Sequence, residues 1–391
     1  MVPVINALTY AVFFLCAFGQ LGRISFLGQQ VNVYVYELVL CIELVLLFFR
    51  YRMDPARVYF RKSKYILIFL LVLLLSFIYE IHRYTFWENF VGFLYWVRLL
   101  FYYTSGVYIF YHLKKSLPFR KTVRMGFTLM VDLVLSFSFI QYFLYPDLRN
   151  LYYDGWDPHL YRIFGTFFDT YIAGTIYCIL FFLSLFRGDA IYKDRRIKYA
   201  ALGLLFICVL LSFSRTIYLT FLLTLSFYFF RQKRATLLIV FVAVFILGIF
   251  IIPKPSGEGV NLTRIYSIVT RTEDYSNAVK LWVKKPLLGY GYNRIRYAKA
   301  DSEFISQDNL ESSHSGASFH STYMVALVSA GIIGLLAFIG MVVTSMQRMG
   351  DLKYIIIFLL LQSIGDNVLL HPFILFFLAV PILWVSLLSD T

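Results

Sequence analysis

Twelve runs of apolar residues, most of them near the length that crosses a bilayer, set the terms on which this chain can fold. They lie near 4–21, 31–49, 65–81, 90–111, 125–145, 165–186, 199–213, 216–230, 235–252, 320–343, 353–369 and 371–388. In hydrocarbon each backbone N–H and C=O must find its partner within the protein, so runs of this kind are expected to be helices. Of 391 residues, 60% are hydrophobic and 15% charged, against roughly 45–50% and 25% in soluble domains. An ordinary soluble enzyme, a disordered chain and a disulfide scaffold are excluded. The expected fold is all-α: a polytopic helical membrane protein with about 12 transmembrane helices and one large external loop containing short helices. Residues 1–252 would hold transmembrane helices 1–9, residues 253–319 the loop, and residues 320–391 helices 10–12.

The net charge of +14, from 36 Lys and Arg against 22 Asp and Glu, has a topological explanation rather than a nucleic-acid one. Basic residues crowd into the segments 50–64, 112–124, 187–198, 231–234 and 344–353, while the alternate short loops carry few. The positive-inside rule then puts both termini in the cytoplasm and 253–319 outside. The first apolar run lacks a basic leader and a clear small-residue cleavage site, and is read as a retained span. The four cysteines sit in apolar runs without a CxxC pair and are read as core residues.

Two external segments stand apart. Residues 146–164 carry Arg149, His159 and Arg162. Residues 253–319 are too long for a mere connector, and long loops on a rigid scaffold tend to carry function. Nine basic and three acidic residues in 253–300 precede four acidic and no basic residues in 301–319. Thr270 and Glu273 have the spacing of a capping box, so a helix is expected to start there, with Tyr275, Ala278, Val279 and Trp282 as its apolar stripe. Pro286 would end it, and Gly289-Tyr290-Gly291 would form a tight turn. Arg271 at such a helix start could bind an anion or be a plain surface arginine.

Arg215 lies at an external or membrane-embedded turn, where its planar fork suits phosphate oxygens; the alternative is an arginine paired with Asp132 or Asp169. His320 opens the tenth segment and has the near-neutral pKa of a general base, with His314 as its competitor and an interfacial histidine as the bland reading. Ala330, Gly331, Gly334, Ala337 and Gly340 read as a small-residue packing seam. Glu37, Glu43, Arg98, Asp132, Asp169 and Asp366 fall inside apolar runs, where such groups pair with one another or line a cavity. Asp301 and Glu303 could hold a metal, but a solvated face accounts for them more simply, and no metal site is expected.

Over roughly 160–345 the sequence resembles the O-antigen ligase/polymerase superfamily of bacterial membrane glycosyltransferases. The matching features are Arg162-Ile163-Phe164-Gly165-Thr166 before a span and the Ser214-Arg215 pair. In the loop they are Arg271, Tyr275, Ala278 and Pro286 with Gly289-x-Gly291, and then His320 with Gly331 and Gly334. Tyr275 stands where the family usually has Trp, and Ser321 where it has Asn.

The resemblance implies transfer of a glycan from undecaprenyl pyrophosphate outside the bacterial cytoplasmic (inner) membrane, without a metal, another cofactor or a nucleotide sugar. The acceptor is either the next lipid-linked glycan, for a polymerase, or lipid A-core, for a ligase. His320 would be the catalytic base and Arg215 and Arg271 would hold the pyrophosphate, with Arg162, His314 and Tyr275 as further substrate contacts. Membrane lipids and a chain-length regulator protein are the other implied partners, and no nucleic acid. The diversity of repeat-unit polymerases favours polymerase over ligase. The rival from another class is a twelve-span transporter or flippase, which often shows two similar halves and helices broken at matching positions; neither is evident in the sequence. A transferase acting on protein hydroxyls is a third option.

Overall fold

A computed structural model of the chain describes residues 1–59, 63–154, 156–253, 260, 266–305, 318–347 and 349–382. The described residues are largely helical. The helices are, in order, α1 (Val2–Cys16), α2 (Val35–Tyr51), α3 (Asp54–Tyr59), α4 (Lys64–Tyr79) and α5 (Phe86–Lys115). They continue with α6 (Leu117–Leu144), α7 (Thr170–Ile191), α8 (Arg195–Leu211), α9 (Arg215–Arg231) and α10 (Ala235–Ile251). The last are α11 (Tyr266–Lys284), α12 (Ile295–Asp301), α13 (Thr322–Met346), α14 (Lys353–Gly365) and α15 (Pro372–Ala379). Each predicted apolar run contains one of these helices. Among the described residues, α6, α7 and α13 are long and apolar enough to cross a membrane, and α1, α4 and α10 are shorter apolar helices.

Polar residues mark the helix starts. Thr85 and Glu88 form a capping box on α5, with the Thr85 N–H donating to Glu88 Oε2 at 2.8 Å. Asp169 Oδ1 accepts the Tyr171 N–H at 2.6 Å and caps α7. The helices pack as pairs, chiefly α1 with α2 and α6, α7 with α8, α9 with α14, and α4 with α13. Their shared apolar core runs through the middle of the bundle.

Three local expectations are corrected. The second apolar run opens as a strand, not a helix: β1 (Arg23–Phe26) pairs antiparallel with β2 (Val31–Tyr34), Arg23 opposite Tyr34. Leu27, Gly28 and Gln29 take positive φ in the turn, and the alternation of Val31 and Val33 suits a strand. Helix α11 begins at or before Tyr266, so Thr270 and Glu273 lie within it rather than at its start. Arg271 therefore has no helix N-terminus beside it. The buried stripe of α11 also differs, with Ala278 and Leu281 enclosed and Val279 exposed.

The glycines of α13 do more than pack. Ala330 and Gly331 depart from helical geometry, Gly331 at φ +63°. The peptide groups freed by this break are met by the segment 286–291. Tyr290 N–H donates to the Val328 carbonyl at 2.9 Å, Gly291 N–H to Ser329 at 2.8 Å, and Ile332 N–H to Pro286 at 2.9 Å. Gly289, at φ +65°, lies so close that a Cβ would stand 2.3 Å from the Val328 oxygen. Lys285 pairs with Glu80, the residue that follows α4, and the buried Arg294 donates to the Phe77 carbonyl at 2.9 Å and to Asn89.

Gly289→Ala is therefore expected to cost about 2 kcal/mol or more through left-handed strain and the backbone clash. Thermal unfolding in detergent and protease sensitivity of the loop would read the change. Gly203→Ala, where an added Cβ meets nothing within 4 Å, should leave both unaltered.

Candidate functional site

The site forms where α11 lies over the adjoining ends of α7, α9, α13 and α14. Arg271, Asp274, Tyr275 and Ala278 recur at three- and four-residue intervals on α11, which puts them on one face. Ala278 is buried at the base of this face, so the polar side chains above it point inward. The Tyr275 hydroxyl donates to the Ile364 carbonyl at the end of α14, which pins α11 beside Asp366.

Asp274 meets His320 just ahead of α13. Its Oδ2 lies 2.9 Å from His320 Nδ1 and accepts the His320 backbone N–H at 2.7 Å. Its Oδ1 accepts from Lys299 of α12 at 3.0 Å. Lys299 also donates to the Ser318 carbonyl at 2.6 Å and lies 4.1 Å from the centre of the Phe319 ring. With a proton on Nδ1 shared toward Asp274, Nε2 is the nitrogen left for a substrate proton.

Electrostatics follow from these contacts. The hydrogen bond to Asp274 raises the His320 pKa; burial and Arg271 oppose the rise, while Asp366 adds to it. Burial alone would raise the Asp274 carboxyl, but His320 and Lys299 hold it below the usual carboxylate range. Asp169, in the turn before α7, and Asp366, in the turn after α14, are both pushed up, first by burial and then by nearby acidic charge. Each also feels the positive charge of His320, and Asp366 that of Arg271.

The arginines come from different elements. Arg271 donates to Thr216 Oγ1 at 3.2 Å and its guanidinium lies 5.0 Å from the Tyr171 ring centre. Tyr171 and Thr216 share a hydrogen bond of 2.8 Å. Arg215 is the first residue of α9, next to Thr216 in the chain. Arg162 is buried, and its Nε donates to the Ser212 carbonyl at 2.8 Å, bracing the turn from which Arg215 emerges. Gln141 ties down the same region by accepting the N–H groups of Phe164 and Gly165 at 2.8 and 3.0 Å. His314 lies outside the described residues.

Sequence reasoning missed Asp274 and Lys299, and left Asp366 among the ambiguous buried charges. The three-residue step from Arg271 to Asp274 is the one signal that could have placed that carboxylate on the working face. Among the described residues no group of three or more His, Cys, Asp or Glu side chains could hold a metal ion. The assembled groups can take a proton at His320 Nε2 and neutralise an anion at the arginines.

Replacing Asp274 with Asn would remove the charge that raises the His320 pKa. A base must be unprotonated to act, so the acid limb of the activity profile should move to lower pH. The rate on the plateau should fall by roughly 10- to 100-fold, the scale typical of lost orienting partners. A pH–rate profile of the purified variant checks both.

A family model described as O-antigen ligase matches residues 200–339, the stretch that carries Arg215, Arg271, Asp274 and His320. No curated protein matches the chain. This match supports a likeness, over residues 200–339, to the O-antigen ligase/polymerase superfamily of membrane glycosyltransferases.

Proposed function

We propose that the chain is a metal-independent, inverting glycosyltransferase that polymerises undecaprenyl-pyrophosphate-linked glycan repeat units on the outer side of the cytoplasmic membrane. The observation that carries this reading is the Asp274–His320 pair set beside Arg271. It places a base with a fixed tautomer next to a cation, the two parts that displacement of a pyrophosphate requires.

In the proposed reaction, His320 Nε2 takes the proton of an acceptor hydroxyl. The hydroxyl oxygen forms a bond to the anomeric carbon as the bond from that carbon to the pyrophosphate oxygen breaks. The electron pair leaves with undecaprenyl pyrophosphate, whose growing charge Arg271 and Arg215 neutralise. Asp274 stabilises the imidazolium that results. One displacement inverts the anomeric centre. The acceptor is the next lipid-linked repeat unit for a polymerase and lipid A-core for a ligase; both use the same donor and the same residues.

We infer twelve spans with both termini cytoplasmic. The twelve apolar runs of the sequence and the alternation of basic loops support this count. The site gathers the ends of α7, α8, α9, α13 and α14 that lie away from the basic segments 187–198, 231–234 and 344–353, which supports an external position.

Purified protein in nanodiscs, given the lipid-linked repeat unit and EDTA, provides the test. A product ladder from the donor alone is the expected result. Product only on adding lipid A-core would make the chain a ligase, and loss of activity in EDTA would overturn metal independence. With a verified donor, absence of product in both mixtures would sink the transferase reading in favour of a transporter. In an active preparation, His320→Ala should lower the rate by about 10²- to 10⁴-fold while leaving the protein folded.

A further inference from the structure

Beside the His320 site lies a cavity of about 330 Å3. Asp169, Ser318 and Asn367 form the wall that adjoins the catalytic groups. Ser318 is two residues from His320 and accepts from the Asn367 amide at 3.3 Å, while Asp169 and His320 feel each other's charge. The other walls come from the hairpin, the 146–169 segment, α5 and the turn after Gly291. Neither Arg215 nor Arg271 lines the cavity, so it is a compartment apart from the arginines assigned to pyrophosphate.

Its lining has a particular chemistry. Tyr34, Tyr95, Trp156 and Tyr292 supply aromatic surface. Gln20, Asn32, Asn293 and Asn367 supply amides, each able to donate and accept. The positive charges here are already engaged: Arg98 binds Glu37, with Nε to Oε1 at 2.7 Å, and Arg23 lies 5.1 Å from the Trp156 ring centre. Aromatic rings interleaved with amides suit a ligand that has apolar C–H faces and a rim of hydroxyl groups. That is the surface of a sugar ring. The volume is at the small end of the roughly 300–1,000 Å3 typical of ligand pockets, enough for roughly one or two rings. A smaller hollow of about 40 Å3, which shares Tyr95 and Asn293, extends the same surface toward Gln30 and Arg296.

We propose that this cavity is a saccharide subsite that seats the terminal sugar of the acceptor, an assignment that rests on the transferase reading above. A sugar held there would present its hydroxyl to His320 from the side away from the arginines, leaving the donor pyrophosphate its own place. The hairpin thereby becomes part of the specificity apparatus, because Arg23, Asn32 and Tyr34 contribute directly to the wall.

The test separates binding from transfer. Saturation-transfer NMR would follow the repeat-unit oligosaccharide, released by mild acid from the source strain's own surface polysaccharide, on protein in nanodiscs. The wild-type protein should bind it and Trp156→Ala should not, while Trp156→Phe, which keeps a ring, should retain binding. Gln20→Ala, which trims an amide from the wall, should weaken binding and serves if Trp156→Ala fails to fold. In the transfer assay Trp156→Ala should raise KM for the acceptor by about tenfold and leave KM for the donor unchanged. A folded Trp156→Ala protein with wild-type binding and wild-type KM values would overturn the subsite while leaving the transferase reading intact. A rise in KM for the donor alone would overturn the assignment to the acceptor. Binding that depends on Trp156 in a protein that transfers nothing would defeat the transferase reading, and with it the acceptor role, while establishing the cavity as a sugar site.

Discussion

The backbone pairing between the break in α13 and the turn at Pro286–Gly291 holds the rest of the site in place. A helix interrupted at membrane depth exposes peptide groups that hydrocarbon cannot satisfy, at several kcal/mol each. Here the freed carbonyls of Val328 and Ser329 and the N–H of Ile332 are taken by Tyr290, Gly291 and Pro286. The Ser76 hydroxyl on α4 lies within reach of the carbonyls of both Leu288 and Ser329, so a third element closes on the same joint. The turn that docks there immediately follows α11 in the chain. Fixing it fixes Arg271 and Asp274 over the start of α13, and two groups 46 residues apart become hydrogen-bonded neighbours.

The charges of the site make sense once that placement is given. Asp274 is the carboxylate that can stay ionised, because Lys299 and His320 both compensate it. Burial pushes Asp169 and Asp366 up, and nearby acidic charge adds to the rise, from Asp157 at Asp169 and from Asp169 at Asp366, so these are the carboxyls more prone to take a proton. This division keeps the negative charge on the Nδ1 side of His320, where it strengthens the base. On the proposed function, an arriving pyrophosphate would bring negative charge to the arginine side, where the raised Asp169 and Asp366 carboxyls would repel it less than fully ionised ones. Like-charged carboxylates near an anion site would otherwise work against binding.

The helical framework was legible because a run of apolar residues has one stable outcome in lipid, whatever its neighbours do. Arg215, Arg271 and His320 were legible as residue types that are costly near a membrane, and the fold draws Arg271 and His320 into one region and puts Arg215 beside Thr216, which Arg271 contacts. Where sequence reasoning failed, the deciding contact was distant in the chain. Asp274 looks like any helix-surface acid until His320 and Lys299 are brought to it. Gly331 in a small-residue repeat is indistinguishable from a packing seam until the loop docks on it. The capping signal at Thr270 was real as a pattern, but tertiary packing of α11 carried the helix past it. The hairpin was absorbed into a predicted helix because four residues of alternating Val are too short to outweigh the apolar run that follows.

The buried charges that could have marked a transporter divide by their surroundings. Glu37 has both oxygens filled: Oε1 accepts from Arg98 Nε and from the Tyr102 hydroxyl at 2.6 Å, and Oε2 from Arg98 and from the Tyr34 N–H at 2.9 Å. A carboxylate so fully bonded cannot exchange protons or ions without dismantling the corner where β2 becomes α2, so its role is to hold that corner. Arg98 lies 5.4 Å from the Tyr34 ring centre and 5.7 Å from that of Tyr95, which carries the same rigidity into the wall of the cavity. Asp169 and Asp366, by contrast, are clustered with His320 and Arg271 at one end of the bundle. Ionisable groups along a transport path would be expected to continue through the bundle as a relay. Asp169 and Asp366 lie at the end that faces α11 and the Glu37–Arg98 pair is locked, an arrangement that suits an enzyme with an end-on active site, while Glu43 of α2, which accepts from Thr9 at 2.6 Å, stands apart from both.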